Sequence, residues 1–195
     1  FLGTISFFFL CFLFLGLPRE TSFISYGATW SSPYARSLGI SSQEGLKAVL
    51  DDLGIRQIRI PVYWALIERS PGKYAWEELD QQLDAIARRG GRVTLAIGQK
   101  VPRWPECWLP DWVKTASTPD RGEAAIKFLR DVVRHTASHP AVKAYQVENE
   151  PLFPFGDCPF ISLSHVKREI TFVRSLDRSL GFSHAIYTTD SGEFT

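Results

Sequence analysis

The sequence predicts an α/β protein with a parallel sheet, and three observations carry that expectation. Short apolar runs of strand character alternate with longer segments whose apolar residues recur at helical spacing, in the order β-α-β-α-β-α-β-α-β. Such alternation forces parallel strands joined by right-handed crossovers. The strands begin roughly every 30 to 50 residues, against about 30 per unit in an eight-fold barrel of ~250 residues. The first strand leads into Gly27-Ala28-Thr29-Trp30, not the glycine-rich phosphate turn of a doubly wound sheet. The expected architecture is therefore a partial (β/α)8 TIM barrel covering about the first five strands.

The elements follow in order. Phe23 to Ala28 reads as the first strand, followed by a loop rich in Ser, Pro and Tyr. Ser41-Ser42-Gln43-Glu44 has the form of a capping box, and the helix it opens carries Leu46, Val49, Leu50 and Leu53 on one stripe before Gly54 closes it. Ile55 to Val62 is the second strand. Tyr74 to Arg89 is a helix with Trp76, Leu79, Leu83, Ile86 and Ala87 on its buried face, and Val93 to Ile97 is the third strand. A long proline-rich loop, Gly98 to Ser117, precedes a helix started by Thr118-Pro119-Asp120. Val142 to Glu148 is the fourth strand. After the loop Leu152 to Ile161 comes a helix with Val166, Ile170, Val173 and Leu180, then a fifth strand over Ala185 to Thr188.

With 195 residues, 45% of them apolar, the chain can bury a core and fits one domain better than two. A formal charge of +1, with basic residues interspersed among acids, gives no stripe to track a phosphate backbone, so no nucleic-acid partner is expected. Residues 1–18 are another matter. Phe1 to Leu17 carry no charge and are dominated by Phe, Leu and Ile, which suits a signal peptide or a transmembrane anchor. The lack of a small-x-small cleavage site before Pro18 favours the anchor; a buried core helix is the remaining reading. Either membrane reading sends residues 19–195 out of the cytoplasm, as an exported protein that is secreted or membrane-anchored. The first residue is not methionine and none occurs anywhere, so the chain is expected to be a piece of a longer reading frame.

Cys11 lies in the apolar run, leaving Cys107 and Cys158 for the domain. Both fall in loops on the same end of the expected barrel, so a disulfide between them is expected in an exported protein; two idle thiols are the alternative. Neither has a second Cys or His at ligand spacing, so no metal and no cofactor is expected. His135, His139, His165 and His184 fall in or beside helices or at the start of the fifth strand, away from the sheet's carboxyl end.

Chemistry points to one stretch, Ala144-Tyr145-Gln146-Val147-Glu148-Asn149-Glu150-Pro151. A strand ending in an amide, a carboxylate and a proline puts polar groups at the carboxyl end of the sheet, where α/β enzymes keep their chemistry. Strict alternation would send Asn149 and Glu150 to opposite faces, so both can serve one site only if the strand twists or bulges at its end. On the second strand, alternation sets Ile58 and Ile60 on one face and Arg59 on the other, pointing into the barrel. A charge there needs a carboxylate partner near the mouth; an arginine escaping to solvent along a distorted strand is the other reading. Of six tryptophans, Trp30, Trp64, Trp104 and Trp108 fall in loops or strand ends, which suits a sugar-binding cleft, although tryptophan is also an ordinary core residue.

Asn149-Glu150-Pro151 after a strand, together with Arg59-Ile60-Pro61, Val62-Tyr63-Trp64 and the run Ile67 to Trp76, resembles clan A glycoside hydrolases, the retaining (β/α)8 enzymes that include the cellulase-like family 5. The likeness extends over most of residues 23–195. It implies Glu150 as general acid/base, Asn149 as the residue holding the sugar 2-hydroxyl, and Arg59 as the residue positioning a nucleophilic glutamate. That nucleophile would close the seventh strand, beyond Thr195, and the piece by itself would be inactive. The substrate would be a β-linked oligo- or polysaccharide, with Trp64, Trp104 and Trp30 stacking on sugar rings. Two departures bear on the exact family. The third strand ends Ile97-Gly98-Gln99-Lys100, where many family 5 members carry histidine, and Pro102-Arg103-Trp104 is closer to the Pro-x-Trp loop of exo-acting clan A families. Asp190 and Glu193 are expected as loop or subsite residues. The competing expectation is a catalytically silent, cell-surface carbohydrate-binding barrel.

Overall fold

A computed structural model describes residues 25–189. Their elements are β1 (Gly27–Thr29), α1 (Ser32–Ser37), α2 (Ser42–Asp51), β2 (Gln57–Pro61), α3 (Trp64–Ile67), α4 (Glu77–Ala87), β3 (Arg92–Ile97), α5 (Asp111–Lys114), α6 (Thr118–Thr136), β4 (Val142–Asn149), α7 (Leu163–Ser179) and β5 (Ala185–Thr189). The five strands form one parallel sheet in the order β1-β2-β3-β4-β5, each paired with its neighbour in sequence. This is the first half of a (β/α)8 barrel.

The core lies between the outer face of the sheet and the helices. Ile58, Ile60, Val93, Leu95, Ile97, Val142 and Val147 from the strands meet Leu46, Leu50, Leu83, Ile86, Phe128, Leu129, Val132 and Val173 from the helices. On β2 and β3 these are alternate residues and on each helix one stripe; on β4 the register shift opposite Val93 and Thr94, where Lys143 is extra, lets Val142 and Val147 share a face although they are an odd number of residues apart. Ser41 caps α2 as the sequence indicates, accepting the Glu44 N–H, and the structure adds Ser117 and Ser162 as the caps of α6 and α7, accepting from Asp120 and His165. Leu53, expected on the buried stripe of α2, is exposed, because α2 ends at Asp51 and the chain turns through Gly54 at φ +64°.

Segments read as loops contain the short helices α1, α3 and α5. The α3 turn corrects one expectation: Trp64 is fully buried, stacked on Phe128 of α6 at 4.7 Å, and its Nε1 donates to Glu68 Oε2 at 2.8 Å. An indole held there packs the core and is closed to a sugar ring.

The expectation of membrane association through a transmembrane helix is also corrected. No helix among the described residues is long and apolar enough to cross a membrane. The run 1–18 on which it rested, with Cys11, lies outside the described residues, as do Asp190 and Glu193.

Candidate active site at the carboxyl end of the sheet

The site is organised by an irregularity in β4. Gln146 pairs with Tyr187 and Asn149 with Thr189, so three steps on β4 oppose two on β5, and one residue is extra. Glu148 absorbs it at φ +60°, and Glu150 follows at φ +48°. A bulge of this kind re-aims the side chains beyond it. Asn149 thereby returns to the inner face, where its Oδ1 accepts from Gln146 Nε2 at 3.0 Å. Its Nδ2 makes no hydrogen bond among the described residues.

Arg59 occupies the inner face two strands away, as alternation requires. Its Nε donates to Thr29 Oγ1 at 2.9 Å and its Nη1 to Gln146 Oε1 at 3.0 Å. The carboxylate expected in contact with this guanidinium is absent among the described residues: a hydroxyl and an amide satisfy it instead. Burial pulls the Arg59 pKa down, while Glu150 acts on it electrostatically in the opposite sense. Glu150 is half-buried and likewise lies within electrostatic range of Glu106, whose carboxyl burial raises. The backbone of Glu150 is fixed to β5, with its N–H donating to Thr189 O at 3.0 Å.

Below this inner face sits a polar network that sequence reasoning missed. Glu148 is fully buried and points outward to α7, its two oxygens accepting the backbone N–H groups of Gln99 and Lys100 at 2.7 and 2.6 Å. It lies against Glu169 of α7, also fully buried, which meets His165 Nε2 at 3.0 Å. Burial lifts both carboxyls, Glu169 to about 8, and the Glu169 charge raises Glu148 further. Glu169 Oε2 has no hydrogen-bond partner among the described residues, and two buried carboxyls this close favour holding a proton over carrying two charges. His165 thus supports the strand end from behind, closer to the site than its place in a helix suggested. Burial lowers its pKa, leaving a neutral imidazole at pH 7. The signal in the sequence was Glu169, a carboxylate between Val166 and Val173 on the buried stripe of α7.

Two loops wall the site. Cys107, after β3, is joined to Cys158, after β4, with Cα atoms 5.1 Å apart, and Asp157 N–H donates to Pro105 O at 2.9 Å. Trp104 projects from the first loop with 68% of its surface exposed, edge-on to Phe155 of the second at 6.0 Å. Trp30 does not join it. Its ring rests against Gly45 of α2, where any side chain would collide with it, so its place is the packing of α2 onto β1. Trp108 packs against Tyr63 at 4.4 Å. Among the described residues no group of three or more His, Cys, Asp or Glu converges to hold a metal ion.

The structures this fold resembles are clan A glycoside hydrolases. The GH5_18 protein from Streptomyces cattleya, solved with GlcNAc, superposes with a TM-score of 0.64 at 18% identity, covering 85% of this chain and 44% of that one. The exo-beta-1,4-mannosidase Op5Man5 from Opitutaceae bacterium strain TAV5 gives 0.65 at 20% identity over 90% of this chain and 34% of its own. An endo-beta-1,4-xylanase of family 10 from Gloeophyllum trabeum gives 0.63 at 16% identity over 85% and 51%. At these identities the likeness establishes the fold, a (β/α)8 barrel, and the chain spans about half or less of those proteins. No protein-family model matches. Among curated proteins, inactive beta-amylase 9 of Arabidopsis thaliana is 29% identical over 79 residues, 40% of this chain and 15% of that protein.

Proposed function

We propose that the chain is the amino-terminal part of a retaining β-glycosidase acting on a β-linked oligo- or polysaccharide, with Glu150 as general acid/base. The observation that carries this reading is the β4 bulge. It delivers Asn149 to the inner face beside Gln146 and leaves Glu150 half-buried at the sheet's carboxyl end, within the electrostatic reach of Arg59.

Retention takes two displacements, with two carboxyl groups ~5 Å apart. In the first, a glutamate outside this chain attacks the anomeric carbon, the bond to the leaving oxygen breaks, and Glu150 gives its proton to that oxygen. In the second, ionised Glu150 takes a proton from water, the resulting hydroxyl bonds to the anomeric carbon, and the glutamate leaves as carboxylate. The unpartnered Nδ2 of Asn149 suits donation to the sugar 2-hydroxyl. Arg59, held by Thr29 and Gln146, is set to orient the nucleophile. The exposed Trp104 offers a stacking face. A β-linked substrate is supported by the Manb1-4GlcNAc held in a variant of the Streptomyces cattleya protein. We further propose that the protein is exported, in keeping with its disulfide.

The test uses the protein translated from the complete reading frame. It should hydrolyse aryl β-glycosides, and Glu150→Gln should cut turnover by about 10²-fold or more. Unchanged turnover in the variant removes Glu150 from the mechanism. Binding of oligosaccharide without hydrolysis by the unaltered protein would favour the silent barrel.

A further inference from the structure

We propose that Lys100 is the positioning residue of the acid-bearing segment, an inference that rests on the assignment of Glu150 above. The side chain is 1% exposed, although an ammonium is among the groups least often buried. Lys100 touches each of three consecutive residues through a different group. Its N–H donates to the Glu148 carboxylate at 2.6 Å, its carbonyl accepts the Asn149 N–H at 2.8 Å, and its Nζ donates to the Glu150 carbonyl at 2.9 Å. A further Nζ bond reaches the Phe153 carbonyl at 2.6 Å, and Glu106 Oε2 lies 3.5 Å away. Nζ thus makes two hydrogen bonds, both to carbonyls of the turn that begins at Glu150, and faces one carboxylate oxygen at ion-pair distance.

Stability does not account for this arrangement. Burying an ammonium and a carboxylate costs several kcal/mol of desolvation each, and apolar residues of similar volume are commonly as stable or more so. The Glu106 oxygen facing Nζ receives no hydrogen bond, so the pair falls short of the geometry that offsets this cost. What the ammonium supplies is direction. Glu150 stands at φ +48°, a conformation few side-chain-bearing residues hold unaided, and its carbonyl is gripped by both Nζ and the Phe153 N–H. With the carbonyl pinned, the Cα–Cβ bond of the same residue has a fixed direction, from which the carboxylate's rotamers are counted.

The test compares the full-length protein with Lys100→Met and with the double variant Lys100→Met/Glu106→Gln, in which no buried charge is left unpaired. Amide hydrogen exchange is followed over residues 149–155 and over β2 and β3, and kcat and KM are measured on aryl β-glycosides. The expected result in the double variant is exchange about tenfold faster over 149–155 with β2 and β3 unchanged. It is accompanied by a ~10²-fold fall in kcat at a KM within a few-fold of the parent. Exchange unchanged over 149–155, exchange raised equally across the sheet, or failure of the double variant to fold would each overturn the proposal. The exchange measurement needs no turnover, so it judges Lys100 even if Glu150→Gln shows that the acid was misassigned.

Discussion

The carboxylate of Glu148 fills the space that a side chain on Gly98 would require. Gly98 also stands at φ +127°, outside the range open to other residues. The end of β3 and the bulge of β4 are therefore fitted to each other, and the amides of Gln99 and Lys100 reach Glu148 only because residue 98 has no Cβ. Gly98→Ala is expected to combine backbone strain with the loss of charge-assisted hydrogen bonds, a destabilisation of about 3 kcal/mol. Urea unfolding measures it.

The Glu148–Glu169 pair makes stability depend on pH in a defined sense. Glu169 is raised from 4.5 to about 8, so the folded protein holds a proton that the unfolded chain releases. Its contribution is fully present below pH 4.5 and is lost as pH rises towards 8. Among the described residues Arg168 of α7 acts on Glu169, and His165, which touches Glu169, feels Arg168 of α7 and Arg121 and Glu123 of α6. Glu169→Gln keeps a donor for Glu148 and has no proton to lose, so thermal midpoints taken across this window should vary less than in the parent.

Two tryptophans should separate packing from binding. Trp64→Ala removes a fully buried indole stacked on Phe128 and is expected to cost about 3–5 kcal/mol in chemical denaturation. Trp104→Ala removes an exposed ring, should change stability by less than about 0.5 kcal/mol, and should weaken oligosaccharide affinity in calorimetric titration.

The disulfide closes a span of 51 residues and ties together the loops that wall the site. From chain entropy alone, Cys107→Ser/Cys158→Ser should lower stability by about 4 kcal/mol. Denaturant midpoints of the oxidised parent and the double variant give the comparison.

Strand positions, helix stripes and the Ser41 cap were legible because each follows a local period or a local hydrogen bond. Arg59 was legible in direction and not in partner: alternation sets its face, whereas the Thr29 hydroxyl and Gln146 amide come from strands distant in sequence. Trp64 was misread, and Trp30 proved to have a packing partner, for the same kind of reason. A strand-end tryptophan can turn to either side, and only Gly45 on α2 and Phe128 on α6 decide which. A bulge was foreseen as the condition for Asn149 and Glu150 to share a site. Its location at Glu148 depends on a carboxylate seat assembled from β3 and α7, which no single stretch of sequence displays.

Every strand in the sheet pairs with the one synthesised just before it. Each β/α unit can accordingly dock on its predecessor while the chain is still emerging from the ribosome, with no strand waiting for a distant mate. A sheet ordered this way permits vectorial assembly, in which β4 is received by a surface that β1 to β3 have already laid down.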